Sequence, residues 1–284
     1  MTYKMWYAGS NAASIYSIGY ATSTNGITWT KYAGNPVITG TAGNWDANAV
    51  TGDVVFDGAT YHTWYWGGPG SIPGSAYYAI GYATSTNGIT WTKYASNPVI
   101  TSTAGSWDSK YILCPCVISD TGLYKMWYTG IDNSGTWSIG YTTSTNGISW
   151  NKYSGNPVLQ TGLTGSWDAS QVLCPDVILD GTTYRMWYTG ANADGTRRVG
   201  YAISPDGVSW TKCASNPVLS EGAPDGWEAH QVMLGGVLLE GDTYKMWYTG
   251  NRYIDTTTGR QIGYATASAI PPIYLPIILK GYSP

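Results

Sequence analysis

A short aromatic string recurs along this chain and sets the architecture that the chain can adopt. The string Tyr-x-x-Trp-Tyr-x-Gly begins at five positions separated by 58, 63, 60 and 60 residues. These positions are Tyr3, Tyr61, Tyr124, Tyr184 and Tyr244. Self-similarity at a fixed period means that one supersecondary unit has been copied, and each copy buries its apolar face on its neighbours. Positions that are identical in all copies are expected to serve the fold, whereas positions that differ can carry function.

The fourth copy shows what one unit contains. Apolar or aromatic runs at 172–179, 184–189, 198–203 and 208–212 are separated by turn residues such as Asp180-Gly181 and Pro205-Asp206-Gly207. Asp-Gly and Asn-Gly between apolar runs are strong hairpin signals, because the turn needs positive φ. Each unit is therefore predicted to hold four antiparallel strands, a to d. Five such units predict an all-β fold, a five-bladed β-propeller of four-stranded blades.

The copies at the two ends are incomplete. The first unit lacks strand a and the fifth lacks a recognisable strand d, so we assign residues 1–269 to the propeller. Residues 270–284 form a tail whose apolar stretch, 270–279, carries Pro271, Pro272 and Pro276. Proline is tolerated mainly on edge strands. The tail is expected to be the outer edge strand of the last blade or a loose extension.

Composition excludes some partners and leaves others open. Charged residues make up 11 % of the chain and the net charge is −3, without any run of Lys or Arg. Nucleic acid is therefore not expected as a partner, since phosphate binding needs a basic stripe. No segment reaches the roughly 18 apolar residues of a membrane span. No cofactor or metal is predicted, and we expect a monomer.

Variation between the copies falls on one face of the predicted disc. The b→c connections of the second and fifth units span 14 and 13 positions, against 10 in the other three, and the d→a loops vary in sequence. In an up-and-down blade these two kinds of connection share one face, and loops on a rigid scaffold carry function. A pocket is therefore predicted where the a strands enter beside the axis.

Polar residues that differ between the copies converge on this predicted pocket. Candidate ligand-binding residues at the entrances of the a strands are Asn48, Lys110, Tyr111, Gln171, His230 and Gln231. Two residues inside strand a, Asp53 and Asp176, align with Cys116 and Gly236. Aromatic and cationic residues outside the repeat pattern on the same face are Trp66, Tyr77, Tyr78, Trp137, Arg197, Arg198, Arg252 and Tyr253. A ring of such side chains predicts a polar ligand, with Trp66 or Tyr111 available for stacking.

An acidic residue follows a tryptophan in four copies, as Asp46, Asp108, Asp168 and Glu228. A residue present in every copy is expected to order its loop by accepting a hydrogen bond. Glu228 departs from the Asp pattern and is a candidate for acid–base chemistry.

The cysteines leave three alternatives. Cys114 and Cys174 occupy equivalent places in successive units. They are small buried hydrophobic residues, a disulfide, or a soft metal site together with Cys116; we favour the first.

Several strings resemble a known superfamily. They are Val-x-x-Pro-x-Val-x-x-Asp-Gly, Tyr-x-Met-Trp-Tyr-x-Gly, Ile-Gly-Tyr-Ala-Thr-Ser-x-Asn-Gly-x-x-Trp and Asn-Pro-Val. They resemble the five-bladed propellers of the glycoside hydrolase superfamily, which includes arabinanases, β-xylosidases, invertases, levansucrases and mannoside phosphorylases. The resemblance covers residues 3–267 and implies an oligo- or polysaccharide ligand and a secreted or cell-surface protein.

The catalytic motif that this resemblance implies is not matched. Those enzymes place an Asp base directly before the proline of strand a and a Glu acid two residues before it. Leu113 and Leu173 stand at the Glu position and Cys114 and Cys174 at the Asp position, while Met233 aligns with the Glu position in the last unit.

Three hypotheses follow from this mismatch. The first is an extracellular carbohydrate-binding propeller that has lost hydrolysis. The second is an active inverting glycosidase or a glycoside phosphorylase that uses Asp53, Asp176 and Glu228. The third is a structural or protein-interaction propeller.

Overall fold

The computed structural model describes residues 2–68, 78–251 and 260–269, and these ranges contain strands and turns but no helix. Within them, nineteen strands, β1 to β19, follow one another in four sets of four and a fifth set of three. No helix that is long and apolar enough to cross a membrane occurs among the described residues. The predicted tail, 270–284, lies outside the described ranges, as do Tyr77, Arg252 and Tyr253.

The strands group into units that match the sequence repeat. Unit one holds β1 (Tyr3–Ser10), β2 (Tyr16–Ser23), β3 (Thr30–Lys31) and β4 (Ile38–Thr39). Unit two holds β5 (Asn48–Phe56), β6 (Tyr61–Gly68), β7 (Ala79–Ser85) and β8 (Thr92–Lys93). Unit three holds β9 (Tyr111–Asp120), β10 (Leu123–Ile131), β11 (Trp137–Ser144) and β12 (Asn151–Lys152). Unit four holds β13 (Gln171–Asp180), β14 (Thr183–Ala191), β15 (Arg197–Ser204) and β16 (Thr211–Lys212). Unit five holds β17 (Gln231–Glu240), β18 (Thr243–Asn251) and β19 (Gln261–Ser268).

Units two, three and four are meanders of four antiparallel strands, as the repeat predicts, whereas in unit one β3 and β4 both pair with β2 and β1 is not preceded by a strand a. In unit three the order is β12-β11-β10-β9, and Trp127 of β10 lies opposite Tyr141 of β11. The innermost strands β5, β9, β13 and β17 contact one another in succession, so they line the inner side of the disc, here called the channel. The all-β propeller architecture is therefore confirmed.

The outer strand is shorter than the sequence predicts. The apolar run at 208–212 forms only the two-residue strand β16, Thr211–Lys212. The side chain of Asp206 accepts hydrogen bonds from the backbone N–H groups of Val208 and Ser209 at 2.9 and 2.7 Å. This Asx-type turn holds the backbone away from the sheet ladder until residue 211.

The same turn links neighbouring units. Gly207 follows Asp206 with a φ of 80°, and its carbonyl accepts a 2.8 Å hydrogen bond from Nε1 of Trp127, one unit earlier. Equivalent bonds join Trp6 to Gly88 and Trp64 to Gly147. Because each indole packs against the adjacent sheet, the copied tryptophan both fills the core and donates across the interface.

Contacts also join the last unit to the first. Nε1 of Trp247 in β18 donates to the carbonyl of Gly26 in unit one at 2.7 Å. The hydroxyl of Tyr3 donates to Glu240 at 2.8 Å and accepts from Lys245 at 2.7 Å. The units therefore close on themselves into a ring.

The core lies between successive sheets. Trp64, Trp127, Tyr128 and Met126 are fully buried, as expected for a strand b that is packed on both faces. Burying such large aromatic side chains supplies much of the apolar contact that holds neighbouring sheets together.

Candidate functional site

A disulfide joins the neighbouring inner strands β9 and β13 of units three and four. Cys114 and Cys174 are bonded, with their Cα atoms 4.9 Å apart. That spacing lies inside the usual range for disulfides. Our preferred interpretation of these two cysteines, as small buried hydrophobic residues, is therefore wrong. The equivalent positions in the two units face each other because both sit at the bulge of an inner strand, where each cysteine has a φ of 47°.

Two residues further along the inner strands, Asp53, Cys116 and Asp176 form a cluster in the channel, here called the channel cluster. One ligand-type atom from each of the three lies within 4.8 Å of the other two. The Sγ of Cys116 lies 3.4 Å from Oδ1 of Asp176. These are the described residues whose donor atoms converge closely enough to hold a metal ion.

Each member of the channel cluster also ties its unit to the next one. Asp53 accepts a hydrogen bond from the backbone N–H of Val117 at 2.8 Å, and Cys116 accepts one from that of Val177 at 3.1 Å. Asp176 accepts one from the N–H of Val237. The three side chains thus share one structural role, that of hydrogen-bond acceptor between inner strands.

Burial changes the acidity of the channel cluster. Desolvation raises the pKa of Asp53, and it raises the pKa of Asp176 to about 7 with a further contribution from the charge of Asp53. Desolvation also raises the pKa of the Cys116 thiol. The cause is that two carboxyl groups and a thiol share one low-dielectric space.

The predicted catalytic acids are only partly brought together. Asp53 and Asp176 lie closer than the roughly 6.5–9.5 Å that leaves room for the water of an inverting glycosidase. Glu228 belongs to a different cluster, in which its carboxylate accepts a 2.6 Å hydrogen bond from the hydroxyl of Tyr248. The assignment of these three residues to catalysis stays a prediction, and the separation of the two Asp residues does not match the inverting geometry.

The Asp residues at the position of Glu228 have structural partners. Asp108 is fully buried and its Oδ2 accepts from Nζ of Lys152 at 2.6 Å and from the Tyr128 hydroxyl at 3.1 Å. Asp46 and Asp168 make the same pairs with Lys93 and Tyr65 and with Lys212 and Tyr188. The backbone N–H of Thr103 also reaches Asp108 at 3.3 Å, so the acidic residue orders its loop as the repeat predicts.

Four of the predicted ligand-binding residues begin the inner strands. Asn48, Tyr111, Gln171 and Gln231 are the first residues of β5, β9, β13 and β17. All four inner strands enter from the same face, so these residues surround one end of the channel, here called the mouth. Lys110 and His230 directly precede two of them.

Aromatic side chains form one side of the mouth. The Tyr78 and Tyr111 rings pack edge to face with centroids 4.9 Å apart, and Trp66 lies 5.7 Å from Tyr78. Nζ of Lys110 lies 5.2 Å from the centroid of Tyr111. Trp66, Tyr78 and Tyr111, the aromatic cluster, therefore combine apolar faces with a nearby cation.

Amide and cationic side chains form the other side. Nη2 of Arg197 donates to Oε1 of Gln171 at 3.3 Å, and Nη1 lies 3.3 Å from Sδ of Met233. The backbone of Arg197 pairs with that of Gln231. The backbone N–H of His230 donates to the carbonyl of Asn251 at 3.1 Å.

The side chain of Asn48 binds the backbone of unit one. The side chain of Arg197 contacts Gln171 and Met233, which the sequence does not reveal. Oδ1 of Asn48 accepts from the backbone N–H of Tyr16 at 2.9 Å, so this side chain holds the adjacent b→c connection. In the sequence, Arg197 stands out only as a cation outside the repeat pattern. Its contact with Met233, which aligns with the expected acid position, depends on how two units pack.

Two proteins of Mycobacterium tuberculosis are similar to this chain in sequence. No family model matches the sequence. An uncharacterized protein of Mycobacterium tuberculosis is 31 % identical over 157 residues, which is 53 % of this chain and 48 % of that protein. Another uncharacterized protein of the same species is 27 % identical over 223 residues, which is 75 % of this chain and 71 % of that protein. The chain thus spans about half the length of the first of these relatives.

Solved structures with the same fold are carbohydrate-active enzymes. A glycoside hydrolase superposes with a TM-score of 0.75 at 18 % identity, covering 95 % of this chain and 84 % of its own. A β-1,2-mannobiose phosphorylase from Listeria innocua superposes with a TM-score of 0.69 at 17 % identity, covering 90 % and 68 %. A β-fructofuranosidase from Bombyx mori gives a TM-score of 0.64 at 15 % identity, covering 89 % and 53 %. The chain has the fold of glycoside hydrolase and phosphorylase propellers, and the resemblance of its repeat strings to that superfamily is confirmed at the level of the fold.

Proposed function

We propose that this chain is a five-bladed propeller that binds an oligo- or polysaccharide at the mouth and does not hydrolyse it. The observation that carries the proposal is the disulfide. Cys114 and Cys174 align, in their own units, with the Asp position of the motif, and a bonded sulfur cannot accept a proton from an attacking water. Leu113 and Leu173 occupy the acid position and cannot donate one.

The mouth supplies what saccharide binding needs. An apolar ring face stacks on aromatic side chains, and hydroxyl groups need fixed donors and acceptors. The aromatic cluster offers the stacking faces, and Gln171 with Arg197 offers the donors and acceptors.

The contact between unit five and unit one through Trp247 supports the blade count of five.

An extracellular location belongs to the same proposal. Disulfides form and persist mainly in oxidising compartments such as the periplasm and the extracellular space. A disulfide that joins two blades beside the axis is compatible with a protein that works there.

Binding and hydrolysis are tested separately. The purified chain is screened on an array of plant, fungal and bacterial glycans, and hits are measured by calorimetry. The same preparation is incubated with aryl-glycosides and with each bound polysaccharide, with and without phosphate. We expect binding without product. Turnover that is lost in Asp176→Asn or Glu228→Gln would establish the active-enzyme alternative instead.

Variants of one tyrosine locate the binding site. Tyr111→Ala is expected to weaken binding about tenfold, because it removes an aromatic face, whereas Tyr111→Phe is expected to keep most of the affinity. Tyr153→Ala is the matched control, because Tyr153 is an exposed tyrosine that follows the outer strand β12 of the same unit. If no glycan binds, or if Tyr153→Ala weakens binding as much as Tyr111→Ala, the mouth is not the saccharide site.

A further inference from the structure

Arg197 is a half-buried cation whose side chain contacts neutral partners. It is the first residue of β15, and its backbone pairs with Gln231 at the start of β17. Its guanidinium contacts an amide oxygen of Gln171 and the sulfur of Met233, both at 3.3 Å. Both partners lie on inner strands, so the guanidinium sits between two inner strands at the mouth.

The neighbouring Arg198, unlike Arg197, has a carboxylate partner. Arg198 holds Glu221 through two hydrogen bonds of 2.6 and 2.5 Å. None of the ion pairs among residues 2–68, 78–251 and 260–269 includes Arg197. Removing a cation from water without a counter-charge is unfavourable. In keeping with this, burial lowers the pKa of Arg197, and the like charge of Arg260 lowers it further.

Two further cations, Lys110 and Arg260, lie near the mouth with Arg197, although the chain as a whole carries −3. Lys110 is exposed beside the start of β9, and Arg260 is exposed directly before β19. The carboxylate of Glu221 is already neutralised by Arg198. The acids of the channel cluster lie further along the inner strands and accept hydrogen bonds from backbone N–H groups. The guanidinium of Arg197, with neutral partners and the like charge of Arg260 nearby, favours an anionic group at this point.

We propose that Arg197 binds the carboxylate of an acidic saccharide, so that the ligand of the mouth is a uronate-bearing glycan rather than a neutral one. This inference rests on the proposed function and narrows it to a substrate class. The planar guanidinium has five N–H donors in a fork that matches a carboxylate, and its Nη1 and Nη2 contact only neutral atoms among the described residues. Gln171 lies beside the fork and can bind a ring hydroxyl, while the aromatic cluster lies across the mouth.

Matched sugars test the charge of the ligand. Trimers of galacturonate, glucuronate-containing oligosaccharides and alginate oligomers are compared with the same compounds after their carboxyl groups have been reduced to alcohols. The backbones are then identical and only the charge differs. We expect the acidic forms to bind at least about tenfold more tightly, as for a charge-assisted hydrogen bond, and this preference to shrink as salt is added.

Matched variants test the role of Arg197. Arg197→Gln is expected to remove the preference, so that the acidic and reduced forms bind with equal affinity, whereas Arg197→Lys keeps part of the preference. Arg185→Gln is the control, because it removes one positive charge from the same unit at a residue paired with Asp180 on β13. Arg197→Met provides a stability readout: the melting temperature should not fall, because the charge it removes has no ion-pair partner among the described residues.

The outcomes separate this inference from the function on which it rests. Equal binding of acidic and reduced sugars overturns the inference and leaves the saccharide site standing. Binding of neither form, by the parent chain or by any variant, overturns both. Inorganic phosphate is titrated in parallel, and if phosphate binds through Arg197 while no uronate does, the site takes a free anion and the inference is wrong. An acidic preference that persists in Arg197→Gln also overturns it.

Discussion

At the scale of single residues, comparing the repeat copies separates structural positions from functional ones only when the chemistry of the side chains is compared, and not just their identity. Asp53, Cys116 and Asp176 differ in identity, which makes them look functional in the sequence. In the structure all three accept a hydrogen bond from a backbone N–H of the next inner strand. Units two, three and four thus preserve a side chain that places an acceptor atom beside the next inner strand, whereas unit five has Gly236 at this position. The sequence shows the residue types but not the N–H group that each of them meets.

The buried carboxyl of Asp176 predicts a pH-dependent stability. Its pKa is raised to about 7 in the folded chain, above its ordinary value of 3.8, so the folded state holds this proton more tightly than the unfolded state. The free energy of unfolding should therefore fall as pH rises from about 4 to about 7, with a slope from this group of at most about 1.4 kcal/mol per pH unit. Asp176→Asn keeps an acceptor for Val237 and should flatten the slope.

Urea unfolding at a series of pH values measures that slope. Asp132→Asn is the control, because the pKa of Asp132 is lowered by hydrogen bonds from Ser134 and Thr136, which puts its effect at lower pH. A slope between pH 4 and 7 that is the same in the parent and in Asp176→Asn would contradict the prediction.

Tryptophans that recur in every unit should contribute more to stability than tryptophans that lie outside the repeat pattern. Trp127 is fully buried and donates to Gly207 of the next unit, so Trp127→Ala should cost about 3–5 kcal/mol of unfolding free energy. Trp66 is half-buried at the mouth and Trp66→Ala should cost much less. Chemical denaturation of both variants measures the difference. Equal losses would show that burial between the sheets does not distinguish the two classes.

At the scale of the strands and turns, sequence reasoning works where the determinants are local. Apolar runs and Asn-Gly or Asp-Gly turns lie next to each other along the chain, so the hairpin of β13 and β14, joined at Asp180-Gly181, could be predicted from them. The outer strands are shorter than predicted because the side chains of Asn or Asp in the turn bind the backbone that would have extended the sheet. The disulfide could not be singled out from the sequence, since it depends on the register between two units that are 60 residues apart.

The buried Asp–Lys pairs provide a prediction at this scale. Nζ of Lys152 binds Asp108 at 2.6 Å and the carbonyl of Thr101 at 2.8 Å, and Asp108 is fully buried. Lys152→Met would leave that carboxylate without its cation, and it should cost about 3 kcal/mol of unfolding free energy.

Unit one offers a matched control for that substitution. Lys31 occupies the equivalent place, is exposed, and lies 5.7 Å from the centroid of the Tyr7 ring. Lys31→Met should change the free energy of unfolding by no more than about 0.5 kcal/mol, as is usual for surface substitutions. If both variants lose the same free energy of unfolding in guanidinium, the pair of Asp108 and Lys152 does not stabilise the loop before β9.

At the scale of the whole molecule, the ring joins units that are consecutive in sequence and also closes between units one and five, which are far apart along the chain. Units three and four are held by the connecting chain, by the bond from Trp127 to Gly207 and by the disulfide. Units five and one are held by Trp247 with Gly26 and by Tyr3 with Glu240 and Lys245. The second interface has no covalent support among these contacts, so it should be the first to open.

Hydrogen exchange tests this difference with one chemical change at two places. Trp247→Phe and Trp127→Phe each keep an aromatic ring and each remove one indole N–H that donates to a glycine carbonyl, at 2.7 and 2.8 Å. Trp247→Phe should speed the exchange of amides in β1, β2, β18 and β19, because the ring then opens between units five and one. Trp127→Phe should leave units three and four coupled, since the disulfide and the chain still join them. Uniform acceleration over all strands in Trp247→Phe, or separate opening of units three and four in Trp127→Phe, would show that the indole bonds do not decide where the ring opens.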